Sequence, residues 1–258
     1  MSGAAVAAIV AGYLFFGLAI GSFLNVVIYR VPLGLSVITP PSRCSSCGYQ
    51  LKPWDNIPLL SYILLRGRCR SCDTSFGVMY FLTELVNLLI WSVLLVRLGL
   101  TFLTLVEAIF SSVLLASSVI DIKTHTIPRK VIYGGVAVVF LLVSIDAVAR
   151  GSLQLFGRPL FFGTLSFAVF LVIFVISKSS IGFGDVRLSF LIGFALGVYG
   201  SRPVVDFFYA SFSTAEIYGI SLIIRSKGGR KTKIPFGPFM AIGALFGLMF
   251  LNTLHILG

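Results

Sequence analysis

Charge is what this chain has least of. Asp, Glu, Lys and Arg make up 11% of its 258 residues, against roughly a quarter in soluble domains. Acid is the scarcer sign, with nine Asp and Glu against 20 Lys and Arg. Between Ala4 and Tyr29 there is no charge at all. That stretch also lacks the basic head and cleavage-site pattern of a secretory signal, so it is expected to be a retained membrane span. No internal repeat or low-complexity tract is present, and no glycine-rich strand-to-helix motif announces a nucleotide-like cofactor. These absences exclude an ordinary soluble domain.

What fills the space is apolar. Hydrophobic residues make up 57% of the chain and mean hydropathy is +1.02. After the first run, further apolar runs fall at about 79–96, 98–120, 131–149, 159–177, 186–201, 203–224 and 235–257. Each is near the length needed to cross the hydrocarbon core. They do not alternate polar and apolar as barrel strands do. The expected fold is an all-α polytopic membrane protein with about eight transmembrane helices, the sixth short, rich in glycine, and tilted or broken. The expected organisation is 1–29 as first span, 30–78 as a polar loop, and 79–258 as a seven-helix core embedded in the lipid bilayer.

The basic residues are unevenly shared. Loops 30–78, 121–130, 178–187 and 225–234 hold 16 of the 20 Lys and Arg, leaving Arg97, Arg150, Arg158 and Arg202 for the other connections. Enrichment on one side marks the cytoplasmic face, which sends both ends of the chain outward. Topology accounts for the net charge of +11, so no nucleic-acid partner is expected.

All four cysteines lie in the polar loop, as Cys44-Ser-Ser-Cys47 and Cys69-Arg-Ser-Cys72. Two such turns offer four thiolates to one tetrahedral zinc ion. Two disulfides, disfavoured in a reducing cytoplasm, or four unrelated thiols are the alternatives. A site filled by four protein ligands is closed, hence structural. Arg43, Arg66, Arg68 and Arg70 are expected to offset the thiolate charge.

Two acids resist a structural explanation. Asp121 follows the third span in Ser117-Ser-Val-Ile-Asp121, and Asp185 opens the sixth in Gly182-Phe-Gly184-Asp185. Both fall at the cytoplasmic membrane edge, where two carboxylates sharing a proton can act as base and acid on a peptide bond. Gly182 and Gly184 would let the backbone bend and approach a peptide closely. Helix capping, or pairing with Lys123 or Arg187, is the plainer alternative. Of the remaining acids in or near spans, Asp146 and Asp206 are expected to be solvated. Glu107 and Glu216 are expected to pair across helices or line a wet cavity. Asn25 and Glu84 face either a substrate or methyl donor, or each other across helices.

Taken in order, five stretches resemble bacterial type IV prepilin peptidases: Gly21-Ser-Phe-Leu-Asn-Val-Val-Ile-Tyr-Arg30, Pro40-Pro-Ser-Arg-Cys44-Ser-Ser-Cys47, Asn56-Ile-Pro-Leu-Leu-Ser-Tyr62 with Arg66-Gly-Arg-Cys69, the Asp121 stretch with its partner Gly182-Phe-Gly-Asp185, and Ile234-Pro-Phe-Gly-Pro-Phe239. The resemblance implies an inner-membrane aspartyl endopeptidase that removes the basic leader of prepilins or pseudopilins at the cytoplasmic face. It places Asp121 and Asp185 on the catalytic aspartates and the four cysteines on the zinc ligands. It also implies N-methylation of the new amino terminus with S-adenosylmethionine. Arg187 stands where the family usually has Lys, and Met79-Tyr-Phe-Leu-Thr-Glu84 replaces a basic-Tyr-Pro run. A transporter would use the acids but leave the cysteines idle, and an assembly factor the reverse.

Overall fold

A computed structural model of the protein describes residues 2–152, 154–177, 181–224 and 234–251. Helix dominates because a chain surrounded by hydrocarbon must satisfy its backbone N–H and C=O groups internally. The described residues form α1 (Gly3–Arg30), a 3-10 turn (Pro53–Asn56), α2 (Leu60–Leu64), α3 (Met79–Leu98) and α4 (Phe102–Thr124). There follow α5 (Arg129–Ala149), α6 (Gln154–Ile176), α7 (Phe183–Gly197), α8 (Ser201–Ile224) and α9 (Gly237–Met249). No strand occurs among the described residues. Isolated bridges join Arg43 to Gln50 and Arg68 to Ser75.

A helix stands in each of the eight expected runs, with moved boundaries. Six of them (α1, α3, α4, α5, α6 and α8) are long and apolar enough to cross a membrane. α7, with 15 residues, and α9, with 13, are shorter. The third expected span stopped at residue 120, but α4 continues to Thr124 and takes Asp121 into its last turn. It ends where His125 turns left-handed, φ 51°, and donates its N–H to the Asp121 carbonyl. The basic loop Arg225–Lys233 and Lys178 lie outside the described residues.

The chain divides into two compact units, Met1–Val96 and Arg97–Gly258. In the first, α1 lies against α3 because glycine removes the obstacle. A Cβ on Gly17 would stand 2.7 Å from the Trp91 ring. Asn87 donates to the Gly17 carbonyl at 2.8 Å, and the Tyr13 hydroxyl to that of Trp91 at 3.2 Å.

In the second unit α7 is the buried centre, in contact with α5, α6, α8 and α9, while α4 packs against α5 and α9. Small residues carry the closest approaches. Gly193 of α7 faces Ser166 of α6, and Gly243 of α9 faces Ser211 of α8, with no room for a Cβ at either glycine. One expectation about the acids is corrected here. Asp146 is buried and ion-paired to Arg150 at 3.0 Å, one helical turn on, and not solvated. Glu107 is fully buried, and neither of its oxygens has a hydrogen-bond partner among the described residues. Glu216 is exposed.

Candidate active site and metal centre

Asp121 and Asp185 belong to the same unit, and Ile127 links their surroundings: it meets Gly184, next to Asp185, and Gly237, which bonds Asp121. Both acids are almost wholly buried, at 4% and 6% exposure. Each has one oxygen tied to a glycine N–H. Gly237, the first residue of α9, donates to Asp121 Oδ2 at 2.9 Å. Gly182, just before α7, donates to Asp185 Oδ2 at 3.1 Å, so Asp185 reaches back to cap its own helix. The capping alternative therefore describes part of the geometry. It occupies one oxygen of the carboxyl group.

The glycines here serve packing. Gly182 has an ordinary φ of −71°. A Cβ on Gly184 would lie 3.2 Å from Ile127 Cβ, and one on Gly237 would lie 2.9 Å from Asp121 Oδ2 and 3.3 Å from Ile127 Cδ1. Ile127 is thus the wedge between the segments that bear the two acids. Ser118, one turn before Asp121, sends its hydroxyl toward the Gly237 carbonyl at 3.4 Å, holding the same residue from its other side. Arg187 does not need Asp185 as a partner. Its guanidinium lies 4.5 Å from the Phe183 ring and 5.8 Å from that of Tyr133.

The four cysteines of the polar loop converge as expected. Their sulfurs all lie within 4.8 Å of one another, with Cys44–Cys72 at 3.8 Å and Cys47–Cys69 at 4.0 Å. A tetrahedron of zinc–sulfur bonds near 2.3 Å has edges of about 3.8 Å, so the set fits the ion. The two turns are built alike. Cys44 N–H bonds the Tyr49 carbonyl and Gly48 N–H that of Cys44; Cys69 N–H bonds the Thr74 carbonyl and Asp73 N–H that of Cys69. Gly48 and Asp73 occupy equivalent left-handed positions, φ 74° and 57°. Thr74 holds the Cys72 thiol down at about 6 through its hydroxyl and N–H. Cys47 is pushed up to about 11: the Tyr49 N–H pulls it the other way and is outweighed by Cys72, burial and the other thiols. Crowded thiols that resist ionising together are what a divalent cation would relieve.

Asp55, unremarked in the sequence, joins the two turns. Its buried carboxylate accepts from Arg70 Nε at 2.7 Å, the Tyr49 hydroxyl at 3.3 Å and the Lys52 N–H at 3.3 Å. Burial would raise its pKa, but Arg70 and the Lys52 N–H outweigh that and hold it below the usual carboxylate range. Arg70 therefore pairs with a carboxylate.

Glu84 forms the third polar centre. Asn25 of α1 donates to its Oε1 at 3.4 Å and to the Tyr80 carbonyl at 3.1 Å, so the interhelical hydrogen bond is present. Its other oxygen accepts from the Leu59 N–H at 2.7 Å. Leu59 has φ 59° and ψ −47°, and Leu60 N–H reaches the Pro58 carbonyl at 2.6 Å. This is a γ-turn of the positive-φ kind, a conformation costing about 1–3 kcal/mol for a residue with a side chain.

The comparisons follow the same division. A model of the Type IV leader peptidase family matches residues 108–220, which contain both aspartates, and one of the Bacterial Peptidase A24 N-terminal domain matches 15–98, which contain all four cysteines. The prepilin leader peptidase/N-methyltransferase of Pseudomonas aeruginosa is 31% identical over 264 residues, covering 90% of this chain and 87% of its own. The chain belongs to the type IV leader peptidase family. Proteins of the same description from Bacillus subtilis (29% over 235 residues, 91% and 92% covered) and Burkholderia pseudomallei (30% over 274 residues, 93% and 85%) are also similar. No solved structure matches.

For this leader peptidase, reading the sequence missed Ile127, Ser118, Asp55 and the γ-turn at Leu59. One signal was in plain view. The stretch Ile234-Pro-Phe-Gly-Pro-Phe239 carried the resemblance without a role, and its Gly237 turns out to hold Asp121.

Proposed function

We propose that this protein is an aspartic endopeptidase that removes the basic leader of a prepilin or pseudopilin at the cytoplasmic edge of a bacterial inner membrane. The observation that carries it is the pair of buried carboxylates in one unit, each with one oxygen fixed by a glycine N–H. In this reading Asp121 and Asp185 are the catalytic residues. Two acids at one site share a proton more readily than they both ionise. The ionised member takes a proton from the attacking water while the protonated member donates to the scissile carbonyl. Gly237 and Gly182 keep the two carboxyl groups from rotating between turnovers. The cytoplasmic side follows from the basic residues flanking the site, Lys123, Arg129, Lys130 and Arg187.

Names of the relatives pair this activity with N-methyl transfer, and the chain is proposed to share it, with S-adenosylmethionine as donor. Zinc on Cys44, Cys47, Cys69 and Cys72 holds the polar loop in shape and takes no part in cleavage. Asp121→Asn and Asp185→Asn each keep the shape but remove the proton exchange. Mass spectrometry of the pilin amino terminus, in cells carrying either variant as their sole copy, should find the leader uncleaved. Processing at a near-normal rate by either correctly inserted variant would overturn the assignment.

A further inference from the structure

The segment Leu60-Ser-Tyr-Ile-Leu64 is apolar although it lies within the polar loop, and neither cleavage nor metal binding uses it. As α2 it sets Leu60, Ile63 and Leu64 along one side of a single helical turn, and all three are exposed, at 48%, 61% and 71%. We propose that this side of α2 is immersed in the membrane surface, at the boundary of headgroups and acyl chains in an anionic leaflet. Residues 30–78 are then moored to lipid between their two spans. The proposal does not depend on which reaction the protein catalyses. It rests on depth, on charge and on how α2 is joined to the cysteine turns.

Two contacts fix the depth of α2. The Tyr62 ring packs on that of Phe81, with 5.3 Å between centroids, and Glu84 accepts the Leu59 N–H at 2.7 Å. Both partners belong to α3, a helix of 20 residues that is long and apolar enough to cross a membrane. At 1.5 Å per residue α3 is about 30 Å long, the thickness of the hydrocarbon core, so its first turns already lie within the bilayer. Phe81 and Glu84 stand about 3 and 8 Å along it. Amphipathic elements that lie on membranes bury their apolar side about 5–10 Å deep, which is the same level. Three aliphatic side chains turned outward at that depth meet lipid and not bulk water.

The strained turn at Leu59 serves this placement. It reverses the chain within three residues and starts α2 beside the second turn of α3. Glu84, itself supported by Asn25, is the positioning residue that holds the turn there.

Charge selects the kind of lipid. Arg66 and Arg68 follow α2 directly, both exposed and neither ion-paired to a carboxylate among the described residues, whereas Arg70 is taken by Asp55. Basic side chains beside an apolar face are drawn to the negative potential of a cytoplasmic leaflet. A prepilin suits this surface poorly, because its leader is itself basic, and a second copy of the chain would set arginine against arginine.

The mooring reaches the cysteine turns through the backbone. Gly67 N–H donates to the Tyr62 carbonyl at 2.8 Å, Arg68 N–H to that of Leu65 at 3.0 Å, and Phe76 N–H to that of Gly67 at 2.6 Å. Cys69 and Cys72 lie between Gly67 and Phe76. The level at which α2 rests in the leaflet therefore sets the level of the metal centre.

The test reads lipid contact directly. Full-length, zinc-loaded protein carrying p-benzoylphenylalanine in place of Leu64 is irradiated in nanodiscs of phosphatidylglycerol and phosphatidylcholine in equal amounts. Adducts are identified by mass spectrometry. Lipid adducts should form at position 64, with phosphatidylglycerol favoured about fivefold, the preference expected of one or two basic groups at an anionic surface. The same photoreactive residue in place of Ser46, an exposed position on the first cysteine turn, should give none above background. Arg66→Gln combined with Arg68→Gln should bring the two lipids to parity. Zinc content reports that the loop has folded; should the double variant lose its zinc, Arg66→Gln alone is read for the same loss of preference. Absence of lipid adducts at position 64, adducts there to a second copy of the chain, equal lipid labelling at position 46, or adducts in the bulk lipid ratio would overturn the proposal. Protein that gives the expected adducts but does not cleave prepilin would instead sink the peptidase reading and leave the mooring standing.

Discussion

Gly237 shows how much a single missing side chain can carry. Its N–H fixes Asp121, its carbonyl receives Ser118, and its Cα faces Ile127, so three contacts converge on one residue. Alanine there would bring a methyl group 2.9 Å from Asp121 Oδ2, and either the carboxylate or α9 must shift. A displacement near 1 Å at a reacting group can cost about 100-fold. Gly237→Ala should therefore lower kcat for prepilin cleavage by about 10- to 100-fold with little change in KM, measured on purified protein that is fully inserted. Asp121 was legible in the sequence because an acid at the end of an apolar run is conspicuous. Gly237 was not, because its partner lies 116 residues away and nothing local distinguishes it. Asp55 and Leu59 escaped for the same reason, since their meaning comes from Arg70 and Glu84.

At the level of elements, what local chemistry dictates was readable and what packing dictates was not. The cysteine turns were visible because CxxC spacing alone brings two sulfurs to one side of a turn. The end of α4 was misjudged because Asp121 and Lys123 are charged, and charge reads as the end of a span. In the fold this last turn is held by the second unit and stays helical, with Asp121 at 4% exposure. The two cysteine turns behave as one element once metal joins them, since structural zinc contributes folding free energy directly. Cys44→Ser should lower zinc to well below one per chain and make residues 30–78 the first target of limited proteolysis. Metal analysis and mapping of the cleavage sites would check both. Full zinc content in that variant would exclude Cys44 as a ligand.

Across the whole molecule, the distribution of Lys and Arg gives an orientation that owes nothing to family membership. Single cysteines at positions 201 and 226, in a background without the native four, can be probed with an impermeant thiol reagent on intact cells. Position 201 starts α8, and position 226 lies outside the described residues, in the basic loop. The first should label from outside, and the second only after the membrane is opened. The reverse pattern would put Asp121 and Asp185 on the wrong side for a leader that has not been exported.

The shortness of α7 and α9 has a further consequence. At 1.5 Å per residue they are about 22 and 20 Å long, well under the roughly 30 Å of a hydrocarbon core. α7 begins at Phe183, two residues before Asp185, and α9 begins at Gly237. A bilayer meets helices this short by thinning locally, a hydrophobic mismatch that brings headgroups and solvent inward. A hydrolase embedded in oil needs a supply of its second substrate. Two short helices whose first turns carry Asp185 and Gly237 let a thinned bilayer bring the aqueous phase toward the carboxylates.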